Sequence, residues 1–455
     1  MSKGTNAKIA EWEQKNTRAL AIRTLEKVRN GAYSNLQLDQ IIKGSKLEER
    51  DVHLLTTMVY GVIQHRLTLE YWLEPFVHGK LDPWVKELLL VSIFQMEYLD
   101  KVPNHAIFDE AIQIAKRRGH DGVRKFVTGV LHTIDRKGLR DFNEIEDLTQ
   151  RLSISASLPI WLVEQLKTEL GTEKTISITE KINQAPAQSA RVNLAVTTPE
   201  AVTELLEAEG FEVTASQVTP DALLLGHGHV ASSKAFAEGL VTLQDESAML
   251  MAPNLNLTAS SVVLDAAAAP GGKTTQIATY LDAAKGGRVE ALDIHDHKVE
   301  LINQNATRLH VADRVVAQNL DARKVDEKFA DATFDAILVD APCSGFGLLR
   351  RKPEIRYEKT AEDSANLHKI QVAILDSVAD KLKNGGRLVY GTCTILKAEN
   401  EDVISEFLAN HQNFSLIPTQ TAFELKGRDE QGMLHLFPDD YDSDGFFIAT
   451  LQKNQ

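Results

Sequence analysis

Five apolar stretches, SVVLDAAAAPGGKT, GGRVEALDIH, RVVAQNLDA, FDAILVDAPC and GGRLVYGTCT, follow one another between residues 261 and 394. Between the second and third, HKVELINQNATRLHV places Val299, Ile302, Ala306 and Leu309 on one helical stripe. Strands this apolar, alternating with helices, specify a parallel sheet covered on both faces. Ligands of such sheets sit beyond the carboxyl ends of the strands. Asp265, Asp293, Asp321 and Asp340 each fall at the end of a predicted strand, and the first three are 28 residues apart, so the four line one edge. The small residues Ala266 to Gly272 let backbone approach a ligand closely and open the next helix with unpaired N–H groups. PGGKT ends like a phosphate-binding loop, but Ala267 stands where that motif requires glycine, and the G-x-G-x-x-G dinucleotide fingerprint is absent. A nucleotide-like ligand without a pyrophosphate fits better. S-adenosyl-L-methionine is one: an acid at the second strand end suits its ribose diol, an acid at the third its adenine amine, and its sulfonium tolerates acidic surroundings.

The rest of the chain reads differently. Residues 17 to about 140 are helical by pattern, with Val52, Leu55, Val59 and Val62 on one stripe. Asp82-Pro83 opens a helix apolar enough to lie in the middle of its domain, and Asn104 is placed to cap a helix that Gly119 closes. Residues 141 to 185 are acidic and helical, without a clear core of their own. From 187 to 240, SARVNLAV, FEVTAS and DALLLG read as strands and PEAVTELLEAEG as a helix, a small RNA-recognition-like α/β segment lacking base-stacking aromatic pairs. Three domains are expected, at 1–145, 146–240 and 241–455.

Net charge is −14, which argues against a nucleic-acid partner until it is divided. Residues 1–150 hold 22 Lys and Arg against 21 Asp and Glu, so the acidity belongs to the later part. Lys116 to Arg140 contains eight cations (Lys116, Arg117, Arg118, Arg124, Lys125, Arg136, Lys137 and Arg140) opposed only by Asp121 and Asp135, a phosphate-facing strip or a solvated helix face. The polar start MSKGTNAKIAEWEQKN is unlike a signal peptide and no apolar run reaches bilayer length, so a cytoplasmic protein without membrane contact is expected. Two cysteines are too few for a disulfide framework or a four-thiolate zinc site. Both, Cys343 and Cys393, stand at ends of neighbouring predicted strands, where adjacency of a nucleophilic pair is expected.

DAAAAPGGKT, LDIHDHK, VDAPCSGFGLLRRKPEIRY and VYGTCTI, in that order, resemble the motifs of the NOL1/NOP2/Sun family of RNA cytosine-C5 methyltransferases. TRALAIRTLEKVRNGAYSN onward resembles the NusB-like RNA-binding domain that marks its RsmB (Sun/Fmu) branch, and LVTLQDESAM is similar to the segment leading into the catalytic domain. The chain departs from the family pattern at Ala267, where a cysteine is usual, and at Gly391 and Thr394, where serines are usual.

The resemblance implies an all-α NusB-like domain, a small RRM-like segment and a Rossmann-like class I methyltransferase domain. It implies Cys393 as the nucleophile that adds to cytosine C6, Cys343 as the thiol assisting elimination, Asp340 at the N3 and N4 edge of the base while holding a proton, and Lys273 reaching the cytosine. Cofactor contacts would come from Ala267, Ala268, Ala269, Pro270, Gly271, Gly272 and Lys273, then Asp293, Asp321 and Asp340. Arg350, Arg351, Lys352 and Arg356 follow closely enough to hold RNA phosphates, joined by Lys116, Arg117, Arg118, Arg124 and Lys125 of the basic strip. The branch acts on a cytosine of 16S ribosomal RNA, position 967 in the usual numbering, and a monomer without a metal is expected. The rivals are a methyltransferase for transfer RNA or 23S rRNA and a non-catalytic, antitermination-like RNA-binding protein.

Overall fold

A computed structural model describes residues 9–226 and 228–454, so the first half of the polar amino-terminal segment lies outside the described residues. The chain divides into two compact units, Met1–Lys167 and Thr168–Gln455.

Among its described residues the first unit has helices and no strand. Helices run over Thr17–Arg29, Ser34–Gly44, Glu49–Gln64, Arg66–Leu73, Pro83–Tyr98, Asn104–Arg118, Asp121–Lys137 and Leu148–Ala156. Pro83–Tyr98 is the central one: Leu88, Leu89, Leu90, Val91 and Ile93 are all buried, which is why its sequence has no polar face. Each such aliphatic side chain contributes roughly 1.5–3 kcal/mol of burial. The helix after Val102 starts at Asn104, the residue expected to cap it. Pro103 holds the cap position, and Asn104 instead donates to the Asp135 carboxylate at 2.9 Å. The acidic segment after 141 is not free connecting structure either. Ser157 Oγ accepts from the Leu67 N–H and Thr68 donates to the Ile154 carbonyl, which dock Leu148–Ala156 on the helical core.

The second unit holds two sheets. In the smaller, β1 (Gln188–Val192), β2 (Val213–Ala215), β3 (Ala222–Leu225) and β4 (Val241–Leu243) pair antiparallel in the order β2-β3-β1-β4, with a helix over Pro199–Ala208 between the first two. This is a ferredoxin-like sheet, the architecture of the RNA-recognition-like segment expected from the sequence. Its fourth strand pairs with β1 through Ala190–Leu243, so the sheet extends past the expected boundary at residue 240.

The larger sheet is built from β5 (Val262–Asp265), β6 (Arg288–Asp293), β7 (Val315–Asn319), β8 (Phe334–Asp340), β9 (Leu382–Thr392), β10 (Phe414–Ile417), β11 (Leu434–Leu436) and β12 (Phe446–Lys453). The order is β10-β12-β9-β8-β5-β6-β7, with β11 on β12. The five strands from β9 to β7 are parallel, while β12 runs antiparallel to β9. The chain winds outward from β5 through β6 to β7, then crosses to β8 on the other side of β5. Such a reversal opens a crevice at the carboxyl ends of β5 and β8.

Candidate active site

The register along the sheet sets the depth of each strand-end acid. Asp265 aligns with Ala291 of β6 and Leu338 of β8, so Asp293 and Asp340 project two residues further along their strands. Asp265 is fully buried and accepts from the Thr274 hydroxyl at 2.6 Å. Burial, reinforced by the neighbouring Asp340 charge, pushes its carboxyl up to about 7. It is thus an acid at this edge poised to hold a proton.

Asp340 instead accepts from the Lys273 ammonium at 2.7 Å. Burial alone would lower the Lys273 pKa, but Asp340, with Cys393 and Asp265 in support, outweighs it and holds the ammonium above its ordinary value. Lys273 also lies over the Phe446 ring, 5.1 Å from its centroid.

The turn between β5 and the Gly272–Thr279 helix is folded tightly against its neighbours. Ala268 donates to the Leu292 carbonyl, Gly271 to the Ala268 carbonyl, and the Asn305 amide to the Pro270 carbonyl. Gly271 has φ +103, and a Cβ there would sit 3.2 Å from Ile302 Cα, so the turn requires glycine. A cavity of about 190 Å³ lies over this turn, lined by Asp265, Ala267 to Pro270, Gly272, Lys273 and Asp340. Leu243 and Gln244 close its other side. Asp293 and Asp321 stand outside that cavity at the edge of the sheet. Asp293 accepts from the His295 N–H, and Asp321 is gripped by the Arg323 guanidinium at 2.7 Å.

Cys343 and Cys393 come together. Their sulfurs are 3.1 Å apart, and both are free thiols. The hydrogen bond shared with Cys393 and burial raise Cys343 well above an ordinary thiol, which favours its protonated form. The two strand ends are locked to each other. The Ser344 and Thr394 hydroxyls share a hydrogen bond at 2.8 Å, and Gly347 donates to the Cys393 carbonyl at 2.9 Å. The buried Glu399 carboxylate accepts from the Ser344 N–H, the Ser364 hydroxyl and the Gln371 amide, fixing the turn that carries Cys343. Gly391 has a local reason: a Cβ there would lie 2.6 Å from Met251 Cε, so Met251 fills the space another side chain would need.

Residues 252–452 match the family of 16S rRNA methyltransferases RsmB/F, 15–136 the NusB family, and 158–231 the ferredoxin-like domain of RsmF/B-like methyltransferases. Over 444 residues the chain is 41% identical to the "Probable ribosomal RNA small subunit methyltransferase B" of Bacillus subtilis (strain 168), covering 96% of this chain and 99% of that protein. The chain belongs to the RsmB/F family. A second RsmB/F relative, from Synechocystis, is 32% identical over 450 residues and carries the same name; the alignment covers 96% of this chain and 99% of that protein. The crystal structure of PH0851 superposes with a TM-score of 0.78 at 26% identity, covering 98% of this chain and all of that one.

Within this RsmB/F chain, the arginines expected to hold RNA phosphates have other partners. Arg356 is fully buried and donates to the Ile182 carbonyl. Arg350 donates to the carbonyls of Gln184, Ala185 and Asp442. Arg351 is held by Asp444 and Asp245 at 2.8 and 3.0 Å. These guanidiniums tie the segment before β1 and the loop before β12 to the cysteine-bearing turn, so that among the described residues only Lys352 of that set is exposed with no side-chain partner. In the basic strip, Arg118 pairs with Glu26, and Arg124 and Lys125 share Asp121, whereas Lys116 and Arg117 are exposed, Arg117 over the Trp12 ring.

Sequence reasoning missed Arg191. This buried β1 side chain donates to the Gln244 side chain at 2.9 Å, the Gly272 carbonyl at 2.6 Å and the Thr275 hydroxyl at 2.9 Å. It thereby fastens the ferredoxin-like sheet to the start of the helix below the cavity. Burial pushes its pKa down to about 10. An arginine among the apolar residues of SARVNLAV was the one available signal.

Proposed function

We propose that this protein transfers the methyl group of S-adenosyl-L-methionine to C5 of a cytosine in 16S ribosomal RNA, position 967, through a transient bond between Cys393 and cytosine C6. The observation that carries this reading is the thiol pair at 3.1 Å beside the Lys273–Asp340 ion pair, at the crevice where a doubly wound sheet takes its ligand. The names of the relatives supply the substrate class.

The site suits the cofactor chemically. A small-residue turn admits close backbone approach, Asp265 and Asp340 offer carboxylates beside the cavity to a cationic ligand, and Asp293 stands at the adjoining strand end. When bound, S-adenosylmethionine supplies a methyl group on a sulfonium, electrophilic enough for a carbanion-like carbon to take. Cytosine C5 is not such a carbon until electrons are pushed into the ring. Cys393 does this: its thiolate forms the S–C6 bond, and the electrons of the C5–C6 double bond move to C5. After C5 has gained the methyl group, loss of its proton to a base restores the double bond as the S–C6 bond breaks. Cys343, which keeps its proton, is placed to hand it to the departing Cys393 sulfur. Lys273 and Asp340 orient the base edge, and the target leaves its stack to reach them.

Bisulfite mapping of rRNA from cells lacking the gene tests the assignment directly. The expected result is loss of one 5-methylcytosine, at position 967 of 16S rRNA. Retention of that mark, with loss of one in transfer RNA or 23S rRNA, replaces the target.

A pH dependence follows from Asp265. Without ligand, the stability this acid contributes is complete below its ordinary value of 3.8 and is lost as pH rises through about 7. A cationic ligand favours the ionised form, so cofactor binding releases a proton near neutrality, and affinity rises between about pH 6 and pH 8. Calorimetry in buffers of different ionisation enthalpy measures that proton. Asp265→Asn is expected to abolish the release and flatten the profile; an unchanged profile refutes the role.

A further inference from the structure

Beyond Cys393 the chain passes through a short turn, Lys397–Glu399, into a helix over Glu401–Asn410. Asn400 stands at the amino-terminal cap of that helix, where an asparagine side chain ordinarily accepts from the helix's unpaired N–H groups. This one makes no such bond. Fully buried, it turns back onto the strand end: Asn400 Oδ1 accepts from the Thr392 hydroxyl, and Nδ2 donates to the Thr394 carbonyl at 3.1 Å. Those are the neighbours of Cys393 on either side. Glu399, equally buried, serves the other thiol. Its carboxylate accepts from the Ser344 N–H at 2.8 Å and from the Gln371 amide at 3.1 Å, and that amide also donates to the Pro342 carbonyl at 3.0 Å. Both neighbours of Cys343 are thereby held. The Tyr390 hydroxyl donates to the Glu399 carbonyl at 2.7 Å and pins the dipeptide to β9.

We propose that Glu399 and Asn400 are the positioning residues of the thiol pair, Asn400 aiming the Cys393 sulfur at cytosine C6 and Glu399 keeping Cys343 within proton-transfer reach of it. This rests on the covalent reading given above and divides its two steps between adjacent residues. Consecutive Cα atoms across a trans peptide lie about 3.8 Å apart whatever surrounds them. Anchoring the flanks of one thiol to Glu399 and those of the other to Asn400 therefore sets the gap between the sulfurs by covalent geometry. Bonds that only satisfied buried backbone would not need to converge on one dipeptide from two strand ends. After the hydrogen bond with Cys393, burial and the Cys393 charge, the Glu399 charge also favours the protonated form of Cys343. Addition should thus depend on Asn400, and release on Glu399.

Full-length Asn400→Ala and Glu399→Gln are compared with the parent protein in single-turnover and steady-state methyl transfer to 16S rRNA transcript, in adduct on a denaturing gel, and in closure of the two thiols by diamide. In that closure two S–H groups give their hydrogens to the N=N bond of diamide as one S–S bond forms, so its rate reports how readily the sulfurs meet. Asn400→Ala is expected to slow single-turnover transfer by about 10²-fold, the effect of a small misplacement, with transcript affinity unchanged and no adduct. Glu399→Gln keeps the first turnover near the parental rate, then accumulates adduct and slows steady-state turnover by about tenfold. Both variants close the disulfide about tenfold more slowly. Thr392→Val, nearly isosteric, removes the hydroxyl that Asn400 accepts from, and Gln371→Leu removes the amide shared by Glu399 and Pro342. These two carry the same expectations if a substitution at 399 or 400 does not fold. Parental single-turnover transfer in the Asn400 arm, absence of adduct in the Glu399 arm, or equal slowing of addition and release in both arms overturns the proposal. A parent protein that transfers nothing overturns the enzymatic reading, and the rates of disulfide closure then decide the positioning alone: parental closure in both arms overturns it.

Discussion

Cys393→Ser is expected to lower methyl transfer by about 10⁴-fold or more, because a serine hydroxyl at neutral pH offers almost no anion to add to C6. Cofactor affinity should stay within about twofold, since Cys393 is not among the residues that line the cavity over the Ala267–Gly272 turn. The substitution is conservative in volume, and neither the Ser344–Thr394 hydroxyl bond nor the Gly347–Cys393 backbone bond involves the sulfur. Loss of activity is then a chemical result and not an unfolding one. Transfer of labelled methyl and calorimetric cofactor titration on one preparation separate the two steps. Residual transfer within tenfold of the parent would remove the covalent mechanism.

Cys343→Ala should act in the opposite sense on the same bond. Burial and the hydrogen bond shared with Cys393 favour the protonated form of Cys343. Without it the methylated base remains attached to Cys393, and release slows by about 10²-fold or more, the range for a lost proton-transfer group. Protein–RNA adduct accumulates during turnover and is visible as a shifted band on a denaturing gel, carrying the transferred methyl label. The double variant Cys343→Ala/Cys393→Ser should show no such band. A Cys343→Ala protein that turns over without any adduct would mean that the proton comes from elsewhere.

Much of this site was legible because its geometry follows from topology. Two cysteines 50 residues apart become neighbours once each is placed at the end of adjacent parallel strands, and β8 and β9 are hydrogen-bonded from Ala336–Arg387 through Asp340–Gly391. The Ala266–Gly272 turn was legible for a similar reason, since small residues after a strand admit little else. What escaped was destination. Arg350, Arg351 and Arg356 have the composition of a phosphate-binding loop, yet they spend their donors on the segment before β1 and on Asp442 and Asp444, partners more than ninety positions distant. Charge is visible in a sequence, but the carbonyls that will surround it are not. The depth of the strand-end acids escaped likewise: Asp265 and Asp340 look alike in the sequence, and only the register shows that one is sunk below the other. β4, Val241–Leu243, lies within LVTLQDESAM, whose resemblance to the lead-in of the catalytic domain hid its strand character.

The reach of Arg191 from β1 into the start of the Gly272–Thr279 helix has an architectural consequence. A ferredoxin-like module on a flexible tether would be free to swing and deliver RNA; this one is riveted to the floor beneath the reacting atoms. A fragment begun at residue 252, where the family's catalytic match starts, would strip the Gly272 carbonyl of a donor and leave an opening where a guanidinium had been. The accessory module is in effect a wall of the cavity over the Ala267–Gly272 turn, and its removal would open that wall.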